Sequence, residues 1–267
     1  SHDSRSYTVY VPGRNEAPYT ITIDTAGRSK PIADTMWGLF FEDINSAADG
    51  GLYAELIRNR SFEMEDPLDG WIKCNSLEDE NDGVEIGYES PLNENNPTYI
   101  TLTEEPDSTE SYGNSGAIAN GGFLTDMLVE EGKNYDFSIY VRGKGDLRVT
   151  IGSMPIWANN CGLADEEPHR ITEKNGEYIN CTEVLSFDTN GEWQKLSTVL
   201  TPRRTDSNSC LVINRLKGAV GDIDIDMVSL MPQDTYKGHG LRKDLMEALE
   251  AMHPKFLRFP GGCAVEG

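Results

Sequence analysis

Apolar and polar residues alternate with a period of two in several short runs between Trp71 and Pro232. In the run YDFSIYVRG, residues 135–143, every second side chain up to Val141 is apolar or aromatic, and LRVTIG, CLVINRL and DIDIDMVSL repeat the pattern. Clusters of Gly, Asn and Asp separate these runs, as turns separate the strands of an antiparallel sheet. The alternation therefore predicts a mainly β chain with an antiparallel β-sandwich in this region.

The pattern changes to a helical period after Pro232. The stretch HGLRKDLMEALEAMHP predicts a helix that ends at Pro254, and the run KFLRF after it predicts a short buried strand. The earlier run GLFFED predicts a strand of the same kind, and residues 7–25 predict two shorter strands, YTVYV and YTITID. Strand, helix and strand form an α/β unit, which the predicted sandwich interrupts. The predicted apolar face of the helix consists of Leu241, Leu245, Ala248, Leu249 and Met252.

The charge of the chain excludes some classes of partner. With 45 acidic and 23 basic residues, the formal net charge is −22, which repels phosphate groups. We therefore expect neither nucleic acid nor a membrane surface as a partner, whereas a neutral glycan is compatible with the charge. No apolar run approaches the roughly 18 residues that span a bilayer. A secretory apolar segment is not seen either, so we expect any signal peptide to have been removed, and a secreted or periplasmic location is favoured over a cytoplasmic one.

The five cysteines give no metal-binding spacing. None of them forms a CxxC pair, so the sequence predicts no zinc site. A disulfide between Cys161 and Cys181 is one arrangement that the spacing leaves open.

Two polar stretches at strand ends are the candidates for chemistry. The first is GLFFEDINSAADGGLYAELIRNRSFE, residues 38–63, in which Glu42 directly follows an apolar strand. An edge strand with a solvated end would explain this pattern, and so would a strand that delivers polar groups to a site. The second is FLRFPGGCAVEG, residues 256–267, in which Arg258 lies within the strand and Gly-Gly allows close approach of a ligand. A tight turn with Arg258 salt-bridged in the core is the alternative interpretation.

Together these stretches resemble glycoside hydrolase family 51, the α-L-arabinofuranosidases. Residues 38–45, 49–63 and 257–267 match the family motifs almost position for position. The resemblance implies a (β/α)₈ barrel, incomplete in this chain, whose first βαβ unit is interrupted by a jelly-roll sandwich similar to a carbohydrate-binding module. The implied division is residues 1–63 for the N-terminal strands and first barrel strand, 64–235 for the insert, and 236–267 for the first barrel helix and second barrel strand.

The resemblance also implies roles for three residues. Glu42 would hydrogen-bond hydroxyl groups of an arabinofuranose ring at the carboxyl end of its strand, with Cys263 lining the same subsite and Arg258 supporting it. The family mechanism is retaining, with two catalytic glutamates roughly 5–5.5 Å apart. They lie on barrel strands four and seven, beyond this chain, so we expect no hydrolysis from these 267 residues alone. No cofactor is expected for catalysis.

In the insert, the resemblance implies glycan binding and a structural calcium ion. Trp157, in SMPIWANN, is the candidate for a stacking platform, and Tyr140 points away from the apolar face of its strand and could also face a ligand. Trp193, at the start of a strand, is assigned to the core instead. Glu63 and Asp226 are the positions that resemble the calcium site of such modules.

Three alternatives to an arabinan- or arabinoxylan-cleaving enzyme stay open at this point. The chain could be a non-catalytic glycan-binding module, the insert could be purely structural, or the parent enzyme could act on β-glucan. As partners we expect arabinose-containing polysaccharides or oligosaccharides, the remaining barrel and a homo-oligomer, because two strands and one helix cannot bury their own apolar faces.

Overall fold

The structure is a computed structural model that describes residues 5–8, 20–23, 30–74, 83–103, 116–123, 126–153, 179–216, 218–260 and 262. It is mainly β, as the alternating pattern predicts. At the N-terminus, β1 (Arg5–Thr8) pairs antiparallel with β2 (Thr20–Ile23). This pair agrees with the two strands predicted within residues 7–25, although β1 begins two residues earlier.

Ten antiparallel strands form the main sheet, and they span Trp71 to Pro232. The strands are β4 (Trp71–Lys73), β5 (Val84–Gly87), β6 (Tyr99–Leu102), β7 (Ala117–Asn120), β8 (Met127–Val129), β9 (Tyr135–Ser153), β10 (Ile179–Asp188), β11 (Gln194–Leu200), β12 (Asp206–Arg215) and β13 (Val220–Pro232).

The long strand β9 belongs to both halves of this sheet. Its first half pairs with β11 and β13, and its second half pairs with β10 and β12. The sequence predicts two strands here, YDFSIYVRG and LRVTIG, but the structure has one strand of 19 residues. Gly143 permits this continuity because a Cβ there would lie 2.8 Å from the Asp222 carbonyl oxygen, so only glycine lets the neighbouring strand approach.

Both halves of the sheet contribute side chains to one hydrophobic core. The apolar residues of the alternating runs, such as Phe137, Ile139, Val149 and Ile151, are fully buried in it. Each such side chain stabilises the fold by about 1.5–3 kcal/mol relative to an exposed position. The polar alternates of β9 face away from this core, which places Tyr140 and Arg142 on the opposite face.

A second, parallel pair of strands lies outside the main sheet. In it, β3 (Leu39–Phe40) pairs with β14 (Leu257–Arg258), and helix α1 (Lys243–Ala251) precedes β14. The helix begins later than the periodic run does. Residues 240–242 are not helical: Gly240 has a φ of +75°, its carbonyl accepts a hydrogen bond from the Ala54 amide, and Leu241 forms an isolated β-bridge with Tyr53.

Several apolar side chains of this parallel pair are exposed. Phe40 is 53% exposed, Leu257 60% and Phe259 64%. Helix α1 also has no buried residue, although Leu245 and Leu249 are half-buried. Such faces are stable in water only when further elements cover them. No helix in the described part of the chain is long and apolar enough to cross a membrane.

Candidate functional site

Glu42 and Gly262 meet where the two parallel strands end. The Phe41 amide donates to the Arg258 carbonyl (3.0 Å), so the pairing continues one residue beyond β3, and the half-buried Glu42 follows. A Cβ added at Gly262 would overlap the Glu42 carboxylate, and Gly262 has a φ of +94°. The carboxylate therefore lies directly over the backbone of the turn that follows β14. A carboxylate in this position can accept hydrogen bonds from two hydroxyl groups of a ligand.

Aromatic rings pack around the strands that carry this site. Phe41 and Phe259 lie side by side, with ring centroids 5.8 Å apart. A Cβ added at Gly38 would overlap the Phe256 ring, so the two strands approach closely at their start as well. These contacts fix the register of the strands and hence the position of Glu42 relative to Gly262.

Arg258 is exposed, and its guanidinium carbon lies 5.1 Å from the centroid of the Phe40 ring. Such a cation–π contact contributes about 0.5–1 kcal/mol at an exposed position. The alternative interpretation of Arg258 as a core residue is therefore wrong for this structure. Cys263, predicted to line the same subsite, lies outside the described residues.

The loop after Glu42 is internally hydrogen-bonded. Asp43 Oδ1 accepts from the Ala48 amide (3.0 Å), and the Leu52 amide donates to the Ala47 carbonyl (2.8 Å). Asn45 has a φ of 54°, a conformation that asparagine tolerates better than most residues. Asp43 and Asn45 thus have contacts and geometry that hold the loop together, leaving Glu42 as the carboxylate beside the Gly262 turn.

Glu55 is a buried carboxylate that the sequence did not distinguish from the other acidic residues. Its Oε1 accepts from the amides of Ile57 (3.0 Å) and Leu230 (2.8 Å), and its Oε2 accepts from Ser229 Oγ (2.5 Å). Arg60 Nη1 lies 3.6 Å from the same Oε2. Glu55 therefore fastens the segment after the site loop to β13. The signal that could have identified it is its place between the apolar residues of YAELI.

The structure brings the predicted calcium ligands Glu63 and Asp226 close enough for their charges to interact. Glu63 is exposed and accepts from the Thr98 amide (2.7 Å) and Thr98 Oγ1 (3.1 Å). Asp226 is 2% exposed, and its Oδ1 accepts from the Met227 amide (2.6 Å). Burial, with a smaller contribution from the negative charge of Glu63, raises the pKa of Asp226 to about 7. No group of three or more metal-ligating side chains occurs among the residues that the structure describes.

Of the two aromatic residues predicted to contact glycan, the structure describes only Tyr140. Tyr140 is half-buried on the face opposite the core, with Lys195 Nζ 6.0 Å from its ring centroid. Trp157 lies outside the described residues. Cys181 is a free, buried thiol whose pKa burial raises to about 11, and Cys161, its possible disulfide partner, lies outside the described residues.

Trp193 is partly exposed rather than part of the core as predicted. It packs edge-on against Tyr99 at 5.5 Å, and the Arg142 guanidinium lies 4.8 Å from its ring centroid. Its indole N–H donates to the Ser90 carbonyl (3.2 Å), and Arg142 Nε donates to Asp224 (2.8 Å). The polar atoms of this surface cluster therefore have partners within the protein.

Comparison with known proteins identifies relatives over nearly the whole chain. An extracellular exo-α-L-arabinofuranosidase of Streptomyces chartreusis is 37% identical over 92% of this chain and 26% of its own length. α-L-Arabinofuranosidase 1 of Arabidopsis thaliana is 33% identical over 93% of this chain and 34% of its own. No family model matches. The resemblance to α-L-arabinofuranosidases is thus confirmed, and the chain spans about a quarter to a third of the length of these relatives.

A solved structure agrees with these relatives. An arabinose-bound α-L-arabinofuranosidase of glycoside hydrolase family 51 superposes with a TM-score of 0.66 and 25% identity, over 86% of this chain and 34% of that chain.

Proposed function

We propose that this chain, a relative of the α-L-arabinofuranosidases, is the N-terminal part of a retaining glycoside hydrolase that releases terminal arabinofuranosyl residues from arabinan or arabinoxylan. The observation that carries the proposal is the Glu42 carboxylate lying over the Gly262 backbone at the ends of two parallel strands. Ligands of parallel α/β folds bind at this edge, where strand ends present polar groups.

In this proposal Glu42 binds and orients the sugar, and it does not carry out bond cleavage. Its two oxygens accept hydrogen bonds from ring hydroxyl groups, Arg258 supports the site, and Cys263 lines it. The acid and the nucleophile of the retaining mechanism are two glutamates that lie beyond these 267 residues. A longer protein, called the parent enzyme below, supplies them.

The parallel pair β3–β14 with α1 is, in the same proposal, the beginning of a (β/α)₈ barrel. The exposed side chains of Phe40, Leu257 and Phe259 support this assignment, because further barrel strands and helices would cover them. The ten-stranded sheet is then a jelly-roll insert in the first βαβ unit. A homo-oligomer and an extracellular location, as in the relative from Streptomyces, belong to the proposal as well.

For the insert we propose a structural calcium ion at Glu63 and Asp226. Both side chains offer carboxylate oxygens, which hard cations prefer, and Asp226 is a buried acid whose only described hydrogen bond comes from the adjacent amide. A bound cation would neutralise the pair and connect β13 to the segment around Glu63. We further propose that Tyr140 and Trp157 contact glycan chains on the insert.

The test of the enzymatic proposal is the parent enzyme with Glu42→Gln, assayed on 4-nitrophenyl α-L-arabinofuranoside. The amide keeps the size of the side chain and loses the charge, so we expect kcat/KM to fall about 10- to 100-fold, since a hydrogen bond to a charged group contributes about 1.5–3 kcal/mol. Glu65→Gln, at an exposed position, is the matched control and should leave kcat/KM unchanged. Equal activity of the two variants would reject the assignment of Glu42.

A non-catalytic glycan-binding chain and a β-glucan-cleaving enzyme are the competing functions. The partly exposed face around Tyr140 favours glycan binding as a second activity. Turnover of the arabinofuranoside by the parent enzyme would exclude the first competitor, and turnover of β-glucan in preference to arabinoxylan would favour the second.

A further inference from the structure

The aromatic ring of Phe123 lies against Gly50, in the loop that follows Glu42. A Cβ added at Gly50 would overlap this ring, and Gly50 has a φ of +80°, which disfavours any other residue. Phe123 belongs to the connection between β7 and β8 of the ten-stranded sheet. The contact therefore joins the inserted sheet to the loop that begins at Glu42.

The connection that carries Phe123 is itself held in place by a buried amide. Asn120 is fully buried, and its Nδ2 donates to the Arg58 carbonyl (3.0 Å). Its Oδ1 accepts from the Gly122 amide (2.9 Å) and from the Arg58 amide (3.4 Å). Because these hydrogen bonds fix the backbone next to Phe123, the ring is supported from within the sheet.

The loop on the other side of the contact is compact enough to transmit a displacement. The Ile44 amide donates to the Glu42 carbonyl (3.1 Å), and the Ala48 amide donates to Asp43. The Leu52 amide closes the loop onto the Ala47 carbonyl. A shift of the turn at Gly50 would therefore be passed through these bonds to the backbone of Glu42.

We propose that Phe123 is a positioning residue for Glu42, and that the inserted sheet thereby forms part of the support of the sugar site. The Phe123 ring keeps the loop against the strand ends, so that the Glu42 carboxylate stays over Gly262. The inference rests on the proposed function of Glu42 as the sugar-binding carboxylate. It gives the insert a role in the active site that is independent of any glycan bound to the insert itself.

The experiment compares Phe123→Ala and Phe123→Leu in the parent enzyme, with Leu128→Ala as the control. Leu128 is an apolar residue on the neighbouring strand β8, and it is 55% exposed. Hydrogen exchange of the Ala48, Leu52 and Tyr53 amides reports on the loop without requiring activity. Steady-state kinetics on 4-nitrophenyl α-L-arabinofuranoside report on the position of Glu42.

We expect Phe123→Ala to accelerate exchange at the three loop amides and to leave exchange in β9 and β12 unchanged. KM should rise about tenfold with a smaller change in kcat, because Glu42 contacts the sugar both before and during the reaction and a small misplacement has effects of this size. Phe123→Leu should recover most of both properties, and the Leu128 variant should match the wild type.

Unchanged exchange at the loop amides in Phe123→Ala would overturn the proposal. Faster exchange with an unchanged KM would also overturn it, provided that Glu42→Gln impairs the enzyme. If Glu42→Gln has no effect either, the proposed sugar-binding role of Glu42 fails and the positioning role falls with it. The activity of Glu42→Gln by itself therefore separates failure of the proposed function from failure of the positioning role of Phe123.

Discussion

The Glu42 carboxylate lies over the backbone of Gly262, at the ends of two parallel strands that are far apart in the sequence. A larger side chain at either position would displace the other residue. Gly262 has a positive φ, and the space that a side chain would need there is filled by the carboxyl group. This relationship makes the glycine as important for the site as the acid.

Replacing Gly262 by alanine is expected to displace Glu42 and to lower kcat/KM of the parent enzyme at least tenfold. The reason is the overlap of the new methyl group with the carboxylate, added to the strain of a positive φ. Gly132→Ala is the matched control, because Gly132 has a φ of +72° and no atom within 4 Å of an added Cβ. Equal losses of activity in the two variants would show that backbone strain alone is responsible.

Truncation of Glu55 is expected to destabilise the protein by about 3 kcal/mol, because Glu55→Ala leaves several buried donors without an acceptor. The donors are the amides of Ile57 and Leu230 and the hydroxyl of Ser229. Urea denaturation measures the change in the free energy of unfolding. Glu65→Ala, at an exposed position, should change it by no more than about 0.5 kcal/mol. A similarly small change for Glu55→Ala would contradict its anchoring role.

The pH dependence of stability is expected to report on Asp226 in calcium-free protein. Its pKa in the folded state, about 7, exceeds its ordinary value of 3.8, so the folded state retains a proton that the unfolded state releases. Stability therefore falls as pH rises from about 4 to about 7. Melting temperatures measured in chelator across this range should decline, and Asp226→Asn should remove much of that decline. An identical slope in wild type and variant would count against the assignment.

Added calcium is expected to raise the melting temperature at pH 8, which lies above the pKa of Asp226, about 7, in the metal-free protein. A cation bound between the carboxylates stabilises the folded state in proportion to the logarithm of its concentration. The increase should disappear in Asp226→Asn and be reduced in Glu63→Gln. Magnesium serves as the control ion, because it demands a smaller octahedral site. If added calcium leaves the melting temperature of the wild-type protein unchanged, the proposed metal site is rejected.

The alternation of side chains predicted the core correctly where one face of a strand is apolar, as for Phe137 and Ile139. It did not predict that β9 is one strand, since residues 144–146, between the two alternating runs, have the composition of a turn. The close approach of Gly143 to Asp222 depends on tertiary pairing. Trp193 was assigned to the core because it stands at the start of a predicted strand, but Arg142 and Tyr99 pack against it at the surface. Local pattern carries no information about such partners.

For the candidate site, the motifs identified both strand ends, and the strand–helix–strand order predicted that they are neighbours. The overlap between Glu42 and a side chain at position 262 requires the parallel register, which only the structure provides. Glu55 was missed because the chain has 45 acidic residues and burial cannot be read from an isolated carboxylate. Two of its hydrogen-bond donors, Ser229 and Leu230, come from β13, far away in the sequence.

The pairing of β3 with β14 also has a consequence for the order of events during synthesis. All strand partners of the ten-stranded sheet lie between Trp71 and Pro232, so this sheet can fold as soon as that part of the chain has left the ribosome. Leu39 leaves much earlier, yet its partner Leu257 is made only after the whole sheet. During synthesis, β3 therefore has no parallel partner until the ten-stranded sheet and helix α1 have been translated. Glu42 lacks its neighbouring strand for the same time.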